Sequence, residues 1–190
     1  MILRMAREEK ALLEAFLRPA ARYMEFGAGG TTFLAAGLVS DWVISVDSSR
    51  NWLDAVSNAC AAEINHKVPT LIHADIGPLG QWGRPSDPAT RHRWPLYHQG
   101  VWGQTEAAMA DLFMIDGRFR VACFMQVLLH AGPEALIAIH DFSPRPKYHI
   151  VCDFASCIAT AGTLSVFRRM PNHSRSEVEK VLEAHTLDPS

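Results

Sequence analysis

Six ionisable side chains sit at the ends of apolar runs, and their types are those that hold hydroxyl groups and move protons. Glu25 lies at the end of Tyr23–Phe26, two residues before a glycine. Asp47 closes Trp42–Val46, twenty residues after that glycine. Asp75 follows Pro69–Ala74, Asp116 follows Asp111–Ile115, and His140 with Asp141 follows Ala135–Ile139. Between the first run and the next helical stretch stand Gly27, Gly29 and Gly30. Without side chains the turn lets backbone come close to a ligand, and a left-handed φ costs nothing there. The N–H groups that open the next helix, with its dipole, favour a negatively charged group. An acid at the tip of the second strand is where mononucleotide-binding βαβ units hold a ribose hydroxyl pair. A tight strand–helix turn without a ligand would use the same glycines, so the acids around them carry the functional weight.

The elements that must position these residues alternate. Residues 3–18 predict an amphipathic helix with Met5, Leu12, Leu13, Phe16 and Leu17 on one face, ended by Pro19. Helices are expected over 31–38 and 50–62, the second capped by Ser48 or Ser49, with Trp52, Val56 and Cys60 as its buried stripe. Val121, Phe124, Met125 and Leu128 mark another helix, and one more is expected over 147–158. A capping box, Ser174-x-x-Glu177, opens a last helix to about Ala184. The five apolar runs, with 163–167 as a late sixth, read as strands. Strands alternating with helices predict an α/β, doubly wound, mostly parallel sheet in one domain, residues 1–190. Only one strand stands out after residue 160, so a shortened C-terminal hairpin is expected. Ligands of such sheets bind outside the carboxyl ends of the strands, which gathers all six ionisable residues on one rim. Residues 77–104 break the alternation with five glycines, four prolines and Trp82, Trp94 and Trp102. Aromatics are scarce in disordered segments. This stretch therefore reads as an ordered insertion beside the site, anchored by Trp82 and Trp94.

A net charge of -2 provides no global field for nucleic acid or an anionic membrane. No apolar run reaches the ~18 residues of a membrane span. Charges at Arg4, Arg7, Glu8, Glu9 and Lys10 interrupt any signal-peptide core. The four cysteines lack metal-ligand spacing and read as free thiols, at home in the cytoplasm. The sixth position counted from Gly27 is Thr32, so the dinucleotide fingerprint fails and a nicotinamide oxidoreductase is disfavoured.

Glu25-Phe-Gly-Ala-Gly-Gly-Thr-Thr32, Val46-Asp47-Ser48, Ile115-Asp116-Gly117 and Ile139-His140-Asp141-Phe142 together resemble the class I S-adenosylmethionine (SAM)-dependent methyltransferase superfamily. The likeness covers about residues 20–155. It is nearest to methyltransferase-like proteins carrying Glu-(Tyr/Phe)-Gly-x-Gly-Gly-(Ser/Thr)-Thr and Asp-Gly-Arg-x-Arg, here Asp116–Arg120, and includes Trp82-Gly83. The resemblance implies SAM as cofactor, bound by Glu25, Gly27, Gly29, Gly30, Thr31, Asp47 and Ser48. Asp75 would meet the adenine or, equally, cap nearby N–H groups. It implies methyl transfer to a small-molecule or sugar-like hydroxyl. Asp116 and His140 are then the candidate bases, with Asp141 orienting His140. Arg118, Arg145 and Tyr148 are the candidates to hold an anionic acceptor, unless the arginines form surface ion pairs. Related O-methyltransferases bind a divalent metal through acids after strands four and five. Asp116 and Asp141 match that pattern, but His140 stands where an acid is usual, so a metal-free site is expected. The competing reading is a catalytically silent SAM- or nucleotide-binding module whose insertion recognises a partner protein. A dimer is compatible with either.

Overall fold

The structure, a computed structural model, describes residues 1–103 and 106–190. Gln104, the last residue of the expected insertion, lies outside the described residues. Seven strands form one sheet: β1 (Arg22–Phe26), β2 (Trp42–Asp47), β3 (Thr70–His73), β4 (Leu112–Ile115), β5 (Leu136–Ile139), β6 (Ala155–Ala161) and β7 (Leu164–Arg169). Their order is β3-β2-β1-β4-β5-β7-β6. β1 to β5 run parallel, and β7 pairs antiparallel with both β5 and β6. The order reverses between β1 and β4, and ligands of open α/β sheets bind at such a switch point.

Alternation along the buried strands divides the core into two layers. Met24, Phe26, Phe113, Ile115, Ile137 and Ile139 fill one face, under α5 (Arg120–His130) and α6 (Arg175–His185). Tyr23, Val43, Leu112, Met114 and Ala138 fill the other, under α1 (Arg7–Leu17), α2 (Gly30–Leu38) and α3 (Arg50–Ala61). Glu25 and Ser45 stand opposite each other in register, on the face of Tyr23 and Val43. No helix among the described residues is long and apolar enough to cross a membrane.

Three expectations are corrected. Residues 155–158, expected to continue a helix, belong to β6; the helical stretch before it is a 3-10 turn over Pro146–Asp153. The hairpin β6–β7 is therefore complete, turning at Gly162 with φ +55°. β6 is an edge strand with Ser156, Cys157 and Ile158 exposed, so its hydrophobic pattern is weak and local periodicity misleads. In α3 the buried stripe is Leu53, Val56 and Cys60, while Trp52 is 44% exposed and donates its indole N–H to the Ala28 carbonyl at 2.5 Å.

Residues 77–103 run as short turns: 3-10 at Gln81–Gly83, Pro88–Arg93 and Gly100–Gly103, with α4 at Leu96–Gln99. Tyr97, His98 and Val101 are buried. Trp94 and Tyr97 meet Phe119, and Trp102 meets Phe26 and Phe113. Trp82 is no anchor: it is 67% exposed.

Candidate active site

The glycine turn is built from the backbone outward. Gly27 adopts φ +105°, and a Cβ there would lie 2.7 Å from the Cα of Gly117. The turns after β1 and β4 thus touch, which only glycine permits. Behind the turn, Glu25 is fully buried. Its carboxylate accepts from the hydroxyls of Tyr23 at 2.7 Å, Thr31 at 2.7 Å, Ser45 at 2.8 Å and Thr32. Burial pushes its pKa up to about 7, against the pull of these four donors. Glu25 lines no part of the crevice; it ties β1, β2 and the start of α2 together from below. The expectation that it touches a cofactor is corrected, because its position in the β1 pleat aims it into the layer under α2. Thr31 lines the crevice, but its hydroxyl is engaged by Glu25.

In front of the turn lies a crevice of about 200 Å³, bounded by Gly27–Thr31, Asp47, Ser48, Trp52, Tyr97 and Asp116–Arg118. Residues 2–5 cross it as a strap, and a Cβ on Gly30 would lie 2.6 Å from the Leu3 Cα. Asp47 accepts from the Ser49 N–H at 2.8 Å, and burial pushes its pKa up to about 6. A second hollow of about 380 Å³ adjoins it, lined by Asp47 together with the exposed indoles of Trp52 and Trp82. Trp82 has φ 60° and carries Arg4 stacked 5.2 Å from its ring centre. A bulky residue held in the left-handed region marks a site where surrounding structure enforces the conformation. Asp75 is absent from these walls: it pairs with Arg93 and accepts from the Gly77 N–H, the capping alternative.

The ends of β4 and β5 meet across a third cavity of about 700 Å³. Asp116 Oδ1 lies 3.1 Å from His140 Nδ1 and 3.2 Å from the Arg120 guanidinium. Arg120, 3% exposed, also reaches Asp141 Oδ2 at 3.3 Å, and Arg145 holds the same oxygen at 2.9 Å. His140 Nε2 faces Glu9 Oε2 at 3.3 Å, while Glu9 Oε1 accepts from the N–H and hydroxyl of Thr163 at 2.7 Å each. Burial lowers the pKa of His140, but Asp116, Glu9 and Asp141 outweigh it and raise it to about 9. Burial raises that of Glu9, but Thr163, Ala6 and His140 outweigh it and hold it at about 2. His140 is therefore an imidazolium at neutral pH, with both nitrogens donating, and the expectation that it serves as a base is corrected. Asp116 Oδ2 has no partner among the described residues. Arg118 and Arg145 line the cavity. Tyr148, expected to touch substrate, is buried beneath it, accepting from Arg145 at 3.1 Å, and its ring underlies Arg120, Arg145 and Lys147.

Ligand atoms of Asp116, His140 and Asp141 lie within 4.8 Å of one another, close enough to share an ion. The donor set does not suit one. Each of these carboxylates already faces a guanidinium, and the histidine faces three acids as a cation. A divalent metal would have to displace Arg120 and deprotonate His140.

Glu9 and Arg120 are functional residues that the sequence patterns do not single out. Arg120 had a signal, since it stands four residues after Asp116 at a helix start. Glu9 had none, its histidine being 131 residues away.

No family model matches the chain, and no curated protein does. Solved structures do. A methyltransferase-like protein from Silicibacter pomeroyi is 28% identical, aligned over 99% of this chain and 98% of its own, with a TM-score of 0.89. The O-methyltransferase TomG from Streptomyces achromogenes, in complex with SAM, is 16% identical over 88% of this chain and 82% of its own, TM-score 0.59. An O-methyltransferase from Bacillus cereus, in complex with S-adenosylhomocysteine (SAH), is 14% identical over 87% and 82%, TM-score 0.58. The chain thus has the Rossmann-like fold shared by SAM-dependent methyltransferases.

Proposed function

We propose that this protein is a SAM-dependent methyltransferase acting on a hydroxyl of a small molecule. One observation carries the reading: the glycine turn, Asp47 and Asp116 line a single crevice at the switch point of the sheet. Its likeness over almost the full chain to a methyltransferase-like protein, and the SAM and SAH held by other proteins of this fold, support it.

In this reading Gly27, Gly29, Gly30 and Thr31 bring backbone against the methionine end of SAM, and Asp47 and Ser48 accept the ribose. The adenine lies between Trp52 and Trp82, whose indoles line one hollow with Asp47. Bound there, SAM supplies an electrophilic methyl group. The chain's own residues position the acceptor and take its proton. Asp116 Oδ1 is fixed by His140 and Arg120, which leaves Oδ2 to receive the hydroxyl proton. His140 and Asp141 are positioning residues: the imidazolium and Arg120 hold the two carboxylates in place across the cavity. Trp82, Gly83 and Tyr97 of the insertion, with the strap at 2–5, close the crevice against water.

The test is calorimetry of the purified protein with SAH, SAM and NAD in parallel. SAH and SAM should bind and NAD should not, and Trp82→Ala should weaken SAH. Absence of heat with both sulfur compounds would reject the reading. SAH binding in a protein whose Asp116→Asn variant behaves identically in every methyl-transfer assay would favour the silent binding module instead.

A further inference from the structure

The cavity of about 700 Å³ beside the crevice has a charge opposed to that of the chain. The chain carries a net -2, yet Arg4, Arg84, Arg118, Arg120 and Arg145 face only two carboxylates across this cavity. Arg120 and Arg145 are already paired with those carboxylates, at 3.2, 3.3 and 2.9 Å. Arg4, Arg84 and Arg118 have no acidic partner among the described residues. Arg118 is the most informative of the three. Its Nε–H is buried with no acceptor, and it lines both this cavity and the glycine-turn crevice. A desolvated donor without a partner lowers stability, so its persistence here points to something it binds. Lys147 senses the same excess. Burial first, and then the like charges of Arg145, Arg84 and Arg118, outweigh Asp188 and hold its pKa below the ordinary value. Concave walls of one charge sign concentrate ligands of the other.

We infer that the acceptor is an anion, a small hydroxy compound whose carboxylate or phosphate is gripped by Arg118 with Arg84 and Arg4 while its hydroxyl meets Asp116. The hydroxyl rests on the methyl-transfer reading above; the grip on the anion rests on the cavity alone. Guanidinium forks match both oxyanions with two parallel N–H bonds. Arg118, on the wall common to the two hollows, is placed to hold the anion next to the reacting side of the crevice. Asp116 stands on that same common wall. The cavity volume suits a metabolite rather than a macromolecule.

The experiment titrates inorganic phosphate and malonate separately into the full chain, with and without saturating SAH, by calorimetry. At least one anion should bind, more weakly as sodium chloride is raised. Phosphate alone would identify a phosphorylated acceptor, and malonate alone a hydroxy acid. Arg84→Gln and Arg118→Gln should each weaken the anion about tenfold, the loss of one charge-assisted contact. Both variants should melt at or above the wild-type temperature, since neither arginine makes an ion pair. Arg84 lines no part of the glycine-turn crevice, so Arg84→Gln should bind SAH as the wild type does. Failure of both anions to bind at roughly tens of millimolar, or binding indifferent to both substitutions, overturns the inference. If SAH alone fails to bind, the methyl-transfer reading falls and the anion titrations still decide what the cavity holds.

Discussion

Replacing Asp47 with Asn should stabilise the protein while loosening its hold on SAH, and both effects have one cause. Burial lifts the Asp47 carboxyl from 3.8 to about 6, against hydrogen bonds from the backbone that favour its charge. Its proton therefore leaves the unfolded chain first. Stability falls as pH climbs from 3.8 towards about 6, then stays at the lower level. About two pH units at 1.36 kcal/mol each set a ceiling of about 3 kcal/mol. The side chain is partly open to the crevice, so about half of that, ~1.5 kcal/mol, is the working figure. At ~2–4 °C per kcal/mol for a chain of this size, Asp47→Asn should melt roughly 3–6 °C higher at about pH 7.5. The gain should shrink to a small fraction near pH 4, where folded Asp47 holds its proton. Asn keeps an oxygen for the Ser49 N–H but loses the charge that a ribose hydroxyl pair would use. Charge-assisted bonds are worth ~1.5–3 kcal/mol, so SAH should bind at least tenfold more weakly. Scanning calorimetry across this pH range, with titration of SAH, measures both. A lower melting temperature at about pH 7.5 would refute the burial argument, and unchanged SAH affinity would reduce Asp47 to a cap.

Glu25→Ala should be severely destabilising, because it leaves four buried hydroxyls without their acceptor at about 1–3 kcal/mol for each that finds no other. A urea midpoint within error of the wild type would contradict it. His140, raised from 6.5 to about 9, contributes stability that is complete below 6.5 and fades as pH rises through about 9. Unfolding free energies across that interval should decline in the wild type and stay flatter in His140→Asn; parallel profiles would count against the imidazolium. Magnesium, manganese or EDTA should leave the melting temperature and SAH affinity unchanged. An ion bound jointly by Asp116 and Asp141 in a structure determined with manganese would overturn the metal-free site.

Much of the molecule is legible along the chain because its causes are local. The apolar runs at 23–26, 42–46, 111–115 and 135–139 are buried on both faces of the sheet, and continuous hydrophobicity is the mark of such strands. The Ser174 capping box completes itself within four residues, and α6 begins where it says. The rim of acids at strand ends likewise follows from chain direction in a parallel sheet. β6 was hidden because an edge strand draws its stability from β7 rather than from its own pattern.

Side-chain direction and pairing across the fold were decided by the tertiary structure. Glu25 and Asp47 look alike in sequence as acids at the ends of apolar runs. One residue of pleat sends Glu25 into a hydroxyl nest beneath the turn, while the strand end leaves Asp47 in the crevice. The charge state of His140 depends on Glu9 from the first helix as well as on Asp116, and no local rule links positions 131 residues apart. The unpartnered Nε–H of Arg118 exists only because folding buries it without supplying an acceptor. Local propensity and burial pattern act over a few residues and are written in order along the chain. Desolvation and charge pairing depend on which distant groups fold against each other, and that is where the chemistry of this site is set.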